Sequence, residues 1–379
     1  MKPKRLIVVL GMHRSGTSVM TRALQILGVE LGDNLMAPIE NNNSKGFFED
    51  NDLVALNEKM LAELHNGWFC TTSISQADVQ HLHENGYFDQ AVEFLRNKVG
   101  SHPLFGMKDP RVAKLLPFWR AVFEHCQFEV SYILAVRNPR SVVKSLEKRD
   151  GLEIIQSYFL WFEYVISSLA FSEGCRRILV DYDLFMASPS NEIDRISKDL
   201  GLAIDQENRQ LFLSEFLDHE LRHTVYDAGD LQNDPLCDPL ICETYAELMQ
   251  VASSQSGLDA LKNKNIVQRW SEQFSRLNLL RNLIDDQFKK NMALSTRVAH
   301  IEQVSNSQKV QLNKFAQRAI ENEQKIVEFQ KLIAENERQL SEHERQTIAF
   351  RNSNAYKIIL ALQFIKKMML SLYAPVKSF

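Results

Sequence analysis

Between residues 11 and 18 the chain reads Gly-Met-His-Arg-Ser-Gly-Thr-Ser, and most of its polar groups suit an anion. Gly11 and Gly16 let the backbone approach a ligand closely, Arg14 brings a fixed charge, and Ser15, Thr17 and Ser18 bring hydroxyls. Two glycines separated by four residues frame a nucleoside-triphosphate loop, but that loop needs Lys directly after the second glycine. Thr17 stands there instead. The loop lacks the cation that covers β- and γ-phosphates, and it suits a single 5′-phosphate with a group attached. A second anion site is offered by Arg137, whose guanidinium forms a bidentate fork, and by the Ser145 hydroxyl eight residues on. Lys108 and Asp109 follow a short apolar run, and Glu49 follows a polar, Asn-rich stretch over 38–44. A lysine can neutralise developing charge, and a carboxylate or His13 can accept a proton.

These residues need a frame. Leu6 to Leu10 is an unbroken apolar run, read as a strand buried on both faces. Val19, Met20, Ala23, Leu24 and Leu27 give the next segment the apolar face of a helix. Further strands are expected at Leu104–Met107, Phe128–Val136 and Arg177–Val180. Helices are expected at Asp50–Leu64, His81–Val99, Ala113–Phe123, Ser141–Lys148, Ile154–Phe171, Ile193–Leu200 and Glu207–Phe216, with Pro117 forcing a kink or a late start. Strands alternating with helices predict an α/β fold, a P-loop-like three-layer α/β/α domain with a mainly parallel sheet. The polar residues named above fall at carboxyl ends of strands, where such sheets bind ligands.

The chain has 379 residues, with 44 basic and 48 acidic side chains, so no whole-protein field draws nucleic acid. Five scattered cysteines with no C-x-x-C pair argue against zinc and against a disulfide framework, and they fit a reducing, cytoplasmic compartment. The start of the chain does not read as a signal peptide, and no run of 18 apolar residues predicts a membrane-spanning helix.

Composition changes near residue 257. All 14 glycines lie between Gly11 and Gly257, and from Leu258 to Ala374 there is neither glycine nor proline. A heptad with position a at Trp270 runs unbroken to Thr347. Nine of its 12 a residues are apolar, among them Leu277, Ile284, Val298, Ile326, Ile333 and Leu340, as are five of its 11 d residues. The expected organisation is a phosphate-loop domain over 1–225, a connecting segment over 226–262, a long α-helical coiled coil over 263–350 and a basic amphipathic tail over 351–379. The coiled coil predicts a homo-oligomer. The tail suits either peripheral contact with the inner face of a membrane or a helix partner.

Arg14-Ser15-Gly16-Thr17-Ser18, together with Arg137-Asn138-Pro139 and Ser145, resembles the two cofactor motifs of sulfotransferases that use 3′-phosphoadenosine 5′-phosphosulfate (PAPS). The resemblance covers roughly residues 5 to 225 and is to bacterial, carbohydrate-type members found with glycan-assembly enzymes. It implies PAPS as co-substrate, with Gly11, Arg14, Ser15, Gly16, Thr17 and Ser18 at the 5′-phosphosulfate and Arg137 and Ser145 at the 3′-phosphate. Arg14 would stand where many members have Lys, and Lys108 would touch the transferred sulfuryl group. Pro110 occupies the place of the histidine used by better-known cytosolic members, so the general base must come from elsewhere. Glu49 is the first choice, with Asp109 and His13 behind it. Arg111 would hold the acceptor or close the sulfate site, or would form a structural pair with an aspartate, and Asp109 would equally serve as a partner of Arg111 or Lys108. Tyr182 lies one place away from a tyrosine that sits near the adenine in the family, and Leu221-Arg222-His223 would line the site. No metal is expected, since fixed Lys and Arg can supply the stabilisation that Mg²⁺ gives a kinase. The acceptor implied is a sugar hydroxyl of a bacterial surface glycan or of its lipid-linked precursor.

Two other readings stay open at this point. One is a P-loop small-molecule kinase, with Asp181 or Asp183 after a hydrophobic strand as its acid. The other is a non-catalytic coiled-coil scaffold of glycan assembly.

Overall fold

Four short apolar runs become the four strands of one parallel sheet: β1 (Arg5–Leu10), β2 (Leu104–Lys108), β3 (Glu129–Val136) and β4 (Arg176–Asp181), in the order β2-β1-β3-β4. The computed structural model describes residues 3–39, 43, 45–217, 226, 228–254, 257–263 and 265–372. β1 pairs with both β2 and β3, so its register fixes the sheet: Val9 sits beside Lys108, and Leu10 beside Leu134. Alternation along β1 divides the core. Leu6, Val8 and Leu10 face one apolar cluster, and Ile7 and Val9 face the other.

The helices follow in chain order. α1 (Thr17–Ile26) follows β1. α2 (Asn51–Glu63), α3 (Gln76–Glu84) and α4 (Tyr87–Val99) lead to β2. α5 (Pro110–Lys114) and α6 (Leu116–His125) lead to β3, and α7 (Pro139–Asp150) and α8 (Ile154–Phe171) to β4. α9 (Tyr182–Ala187), α10 (Pro189–Leu200) and α11 (Gln206–Leu211) follow, with a π-helical turn at Phe212–Phe216. Next come α12 (Ala228–Gln232), α13 (Pro239–Ser253), α14 (Asp259–Asn263), α15 (Ile266–Ser275), α16 (Asn278–Asn352) and α17 (Asn354–Leu372). α1, α9, α10 and the π-helical turn bury their apolar residues on the Ile7 and Val9 face, and α2 to α8, α13 and α15 bury theirs on the Leu6 and Val8 face. The fold is α/β in three layers, as the alternation of strands and helices predicts. The chain leaves β1 toward one face and β3 toward the other, which opens a crevice at their carboxyl ends.

Three differences from the sequence reading have local causes. The helix expected over His81–Val99 is two helices, broken at Asn85-Gly86, where Gly86 takes φ +78°. The Pro117 region splits likewise, with Pro117 in the first turn of α6, where it costs no helical hydrogen bond. The apolar helix α8 is, among the described residues, the one long and apolar enough to cross a membrane, yet 78% of it is buried in the core.

The globular part also extends further than the boundary expected at 225. One compact unit runs from Met1 to Lys290 and a second from Asn291 to Phe379. Leu231, Ile241, Leu248 and Leu261, expected in a connecting segment, are buried in the first unit's core. Trp270 is fully buried on α15, and Leu277 and Ile284 pack on the same core, so the first three a positions of the heptad belong to the globular unit. A helix that buries one face in a core shows much the same period as a coiled-coil strand.

The first turns of α16 are tied in by buried polar groups. Arg281 donates to the Thr71 carbonyl from Nε (2.9 Å) and from Nη2, and pairs with Glu163 at 2.7 Å. Asp285 accepts from the backbone N–H and hydroxyl of both Thr71 and Thr72 at 2.6–3.0 Å. In the second unit, residues 291–352 of α16 are exposed along their length, apolar a and d residues such as Val298, Ile301, Ile326 and Ile333 included.

Candidate active site

The loop after β1 owes its shape to two glycines. Gly11 takes φ +147°, and a Cβ there would lie 2.5 Å from the Ala135 carbonyl oxygen of β3. Gly16 caps α1 at φ +83°, where a Cβ would lie 2.2 Å from the Tyr182 ring. The loop is thus held between β3 and the start of α9, and only glycine fits either contact. Arg14 between them is also left-handed, at φ +69°. No side chain caps α1. The N–H groups of its first turn have no intrahelical acceptor and carry the positive end of the helix dipole.

The structure brings the two expected anion motifs together. Arg14 Nε donates to Ser145 Oγ on α7 at 2.8 Å, across 131 residues of sequence. Arg137, after β3, donates to the Arg14 carbonyl at 3.4 Å, and its guanidinium lies 4.6 Å from the centre of the Tyr182 ring. Trp161 on α8 donates to the Arg137 carbonyl at 3.0 Å and fixes that strand end. The sequence reading pairs Ser145 with Arg137. The hydrogen bond instead runs to Arg14, because the left-handed turn at Arg14 aims its side chain toward α7. Burial, then the neighbouring Arg149 and Arg137, lower the Arg14 pKa.

Lys108, at the end of β2, anchors the other side. Its Nζ donates to the Phe47 carbonyl at 3.0 Å, to Glu49 Oε1 at 2.5 Å and to Ser18 Oγ at 3.5 Å. Ser18 Oγ in turn donates to the Phe47 carbonyl and accepts from Asn43 Nδ2. Asn43 belongs to the Asn-rich stretch, of which residues 40–42 and 44 lie outside the described residues. Arg111 approaches the second oxygen of Glu49 at 3.8 Å. The Lys108–Glu49 pair is almost wholly buried, so removing either partner strands a charge, at a cost of about 3–5 kcal/mol.

Asp109 has a different task from the one expected of it as a candidate base. It is fully buried, and both its oxygens are taken: Oδ1 accepts from the Arg111 backbone N–H and from Arg111 Nη1, and Oδ2 accepts from Asn57 Nδ2. Asn57 is held in turn by Trp119 Nε1. Asp109 caps α5 and aims Arg111. Pro110, standing where the histidine would be, opens that helix.

His13 lies in the loop with its ring 4.6 Å from that of Trp68, and Trp68 also faces Arg149 at 5.6 Å. His13 Nε2 is buried without a hydrogen-bond partner in the structure. Burial, then Arg111, Arg149, Lys108 and Arg14 around it, hold the His13 pKa well below its ordinary value, so the ring is neutral at pH 7. Ser15 and Thr17 are buried beside it in the loop.

Trp68, Arg149, Asn57 and Tyr182 therefore border the site, although the sequence reading gives no role to the first three and only a displaced one to Tyr182. Trp68 sits in a segment without a motif, held at its carbonyl by Tyr164 Oη (2.9 Å) and, through its neighbours, by Gln156 and the α16 clamp. Asp183-Leu184, after Tyr182, receive the cap from Asp181. Leu221-Arg222-His223 lie outside the described residues. Among the described residues, no three His, Cys, Asp or Glu side chains converge as a metal site would require.

No protein-family model and no curated protein matches this chain. Solved structures do resemble it. A sulfotransferase domain from the olefin synthase of Synechococcus PCC 7002 aligns over 72% of this chain and 95% of its own, at 16% identity and a TM-score of 0.35. The sulfotransferase STF1 of Mycobacterium tuberculosis H37Rv aligns over 65% and 76%, at 16% identity and 0.34. Retinol dehydratase, solved with androsterone and the inactive cofactor PAP, aligns over 72% and 81%, at 13% identity and 0.29.

Proposed function

We propose that this protein is a sulfotransferase that moves the sulfuryl group of PAPS to a hydroxyl acceptor. The observation that carries this reading is the meeting of Arg14, Arg137 and Ser145 beside a glycine-framed helix N-terminus that has no lysine after its second glycine. Such a site holds two separate anions rather than one polyphosphate chain. The residues present fit PAPS: a loop that a Cβ at Gly11 or Gly16 would fill, bare first-turn N–H groups, and cations on both sides. The first turn of α1, with Ser15, Thr17 and Ser18, would hold the 5′-phosphosulfate. Arg137 and Ser145 would hold the 3′-phosphate, with Arg14 between the two subsites.

PAPS supplies a sulfuryl group on a phosphate leaving group. Lys108, in contact with Ser18 and Glu49, is placed to neutralise charge on the sulfuryl side. Glu49 would take the proton of the acceptor hydroxyl as the acceptor oxygen replaces the bridging phosphate oxygen on sulfur, the nucleotide leaving as 3′,5′-adenosine bisphosphate. His13, neutral and without a partner, is the second group able to take that proton. Asp109 and Arg111 position Glu49. The acceptor we propose is a sugar hydroxyl of a bacterial surface glycan or of its lipid-linked precursor, met at the cytoplasmic side of the membrane. A carboxylate base in place of histidine supports it, as in the carbohydrate-type enzymes the motifs resemble. Of the kinase alternative's two candidate acids, Asp181 spends its carboxylate capping α9, which leaves Asp183.

The test is transfer of labelled sulfuryl from PAPS to a panel of glycans. Glu49→Gln should lower kcat by about 10²–10⁴-fold while affinity for 3′,5′-adenosine bisphosphate stays unchanged. Transfer of phosphate from ATP in place of sulfuryl would overturn the reading.

A further inference from the structure

We propose that α17 is a docking helix that lies flat on an anionic lipid surface. This role is independent of the chemistry of the anion site. From Asn278 to Glu344 the chain carries ten acidic and ten basic side chains, and from Arg345 to its end it carries six basic ones and no acidic one. A partner for this segment must be negative or neutral, whereas the helix before it is balanced.

The second observation is the arrangement of apolar residues. At about 100° per residue, Met368, Ala361, Ile365, Ile358, Met369 and Leu362 fall on one arc of about 120°, in which Asn354 at the start of α17 is the one polar residue. Lys357 borders that arc on one side and Lys366 on the other. All of these apolar side chains except Ala361 are among the large exposed ones. Lysines at both margins of an apolar face can extend their stems over it and reach headgroups, which is the pattern of a helix at a lipid–water interface.

The third observation separates this face from the coiled-coil seam. α16 ends at Asn352 and α17 starts at Asn354, with Ser353 Oγ accepting from the Tyr356 N–H. Continuing the heptad past Thr347 would put Asn354, Ala361 and Met368 at a and Lys357, Phe364 and Ser371 at d. That seam is half polar, and it leaves Ile358, Leu362, Ile365 and Met369 outside. The apolar arc of α17 therefore shares only Ala361 and Met368 with the line that a second copy of the long helix would cover, and its other four residues lie to one side of that line. The lysines also leave α17 out of the class of helices able to cross a membrane.

Full-length protein should co-sediment with vesicles of phosphatidylcholine and phosphatidylglycerol at low salt and not with vesicles of phosphatidylcholine alone. A lysine near an anionic surface contributes about a fivefold gain in partitioning, so Lys357→Gln combined with Lys366→Gln should weaken binding about twentyfold or more. Ile365→Glu should abolish sedimentation while leaving the solution mass and the affinity for 3′,5′-adenosine bisphosphate as they are. The proposal is overturned if wild-type protein stays in the supernatant with anionic vesicles. It is also overturned if Ile365→Glu changes the oligomer mass, since a second copy would then be what covers the arc. Equal binding to neutral and anionic vesicles, unaffected by the lysine variants, would overturn the choice of an anionic surface.

Discussion

Asp181 is sealed from solvent while its carboxylate caps α9, and burial, with Asp183 nearby, raises its pKa to about 6. An acid whose folded pKa is raised binds its proton more tightly in the folded state. Stability from this group is fully present below the unfolded pKa near 4 and is lost as pH rises through 6. The shift corresponds to about 3 kcal/mol by pH 8. Asp181→Asn keeps an oxygen for the cap and removes the titration, so urea unfolding should show variant and wild type nearly equal near pH 4 and the variant ahead by about that amount at pH 8. A difference independent of pH would contradict the assignment. Arg14, Gly16, Ser18 and Arg137 were legible in the sequence because the loop is local: its glycines, charge and hydroxyls lie within eight residues, and Arg137 ends a strand. Trp68 and Arg149 were not, because they reach His13 only through the packing of distant segments. Asp109 reads as a candidate base or as a partner of Arg111 by its position, and the structure has it cap α5 and pair with Arg111, with both oxygens taken.

At the level of elements, the four strands and most helices followed from apolar runs and breakers, because β1 to β4 are short, buried on both faces and ended by polar residues. The domain boundary did not follow. Arg281 and Asp285 lie in what reads as coiled coil, yet they hold Thr71 and Thr72, three residues after Trp68 and Phe69 respectively. Charged residues in a heptad normally read as a solvated face, and nothing local marks these two as buried. Arg281→Met would leave Glu163 buried without its cation and the Thr71 carbonyl without its donors. We expect it to destabilise the protein by about 3–5 kcal/mol in chemical denaturation, whereas Arg297→Met, on the exposed part of α16, should shift stability by less than about 0.5 kcal/mol. Similar losses for both would show that the clamp is not what secures the start of α16.

For the whole molecule, residues 291–352 expose apolar residues at a and d among the described residues. A homo-oligomer joined along this helix would cover them; on that reading sedimentation equilibrium should give a multiple of the 43.7 kDa chain mass, and Ile326→Glu with Ile333→Glu should return it to one chain mass. A single-chain mass for the wild type at micromolar concentration would contradict that assembly. The central claim concerns the other unit, where two anion motifs 123 residues apart in sequence meet at Arg14. Its most direct measurement is a calorimetric titration of the full chain with 3′,5′-adenosine bisphosphate. The account predicts dissociation constants in the micromolar range, about −8 kcal/mol, and loss of binding in Arg137→Ala. Absence of binding, or binding that survives Arg137→Ala while Mg²⁺–ATP binds more tightly, would contradict it.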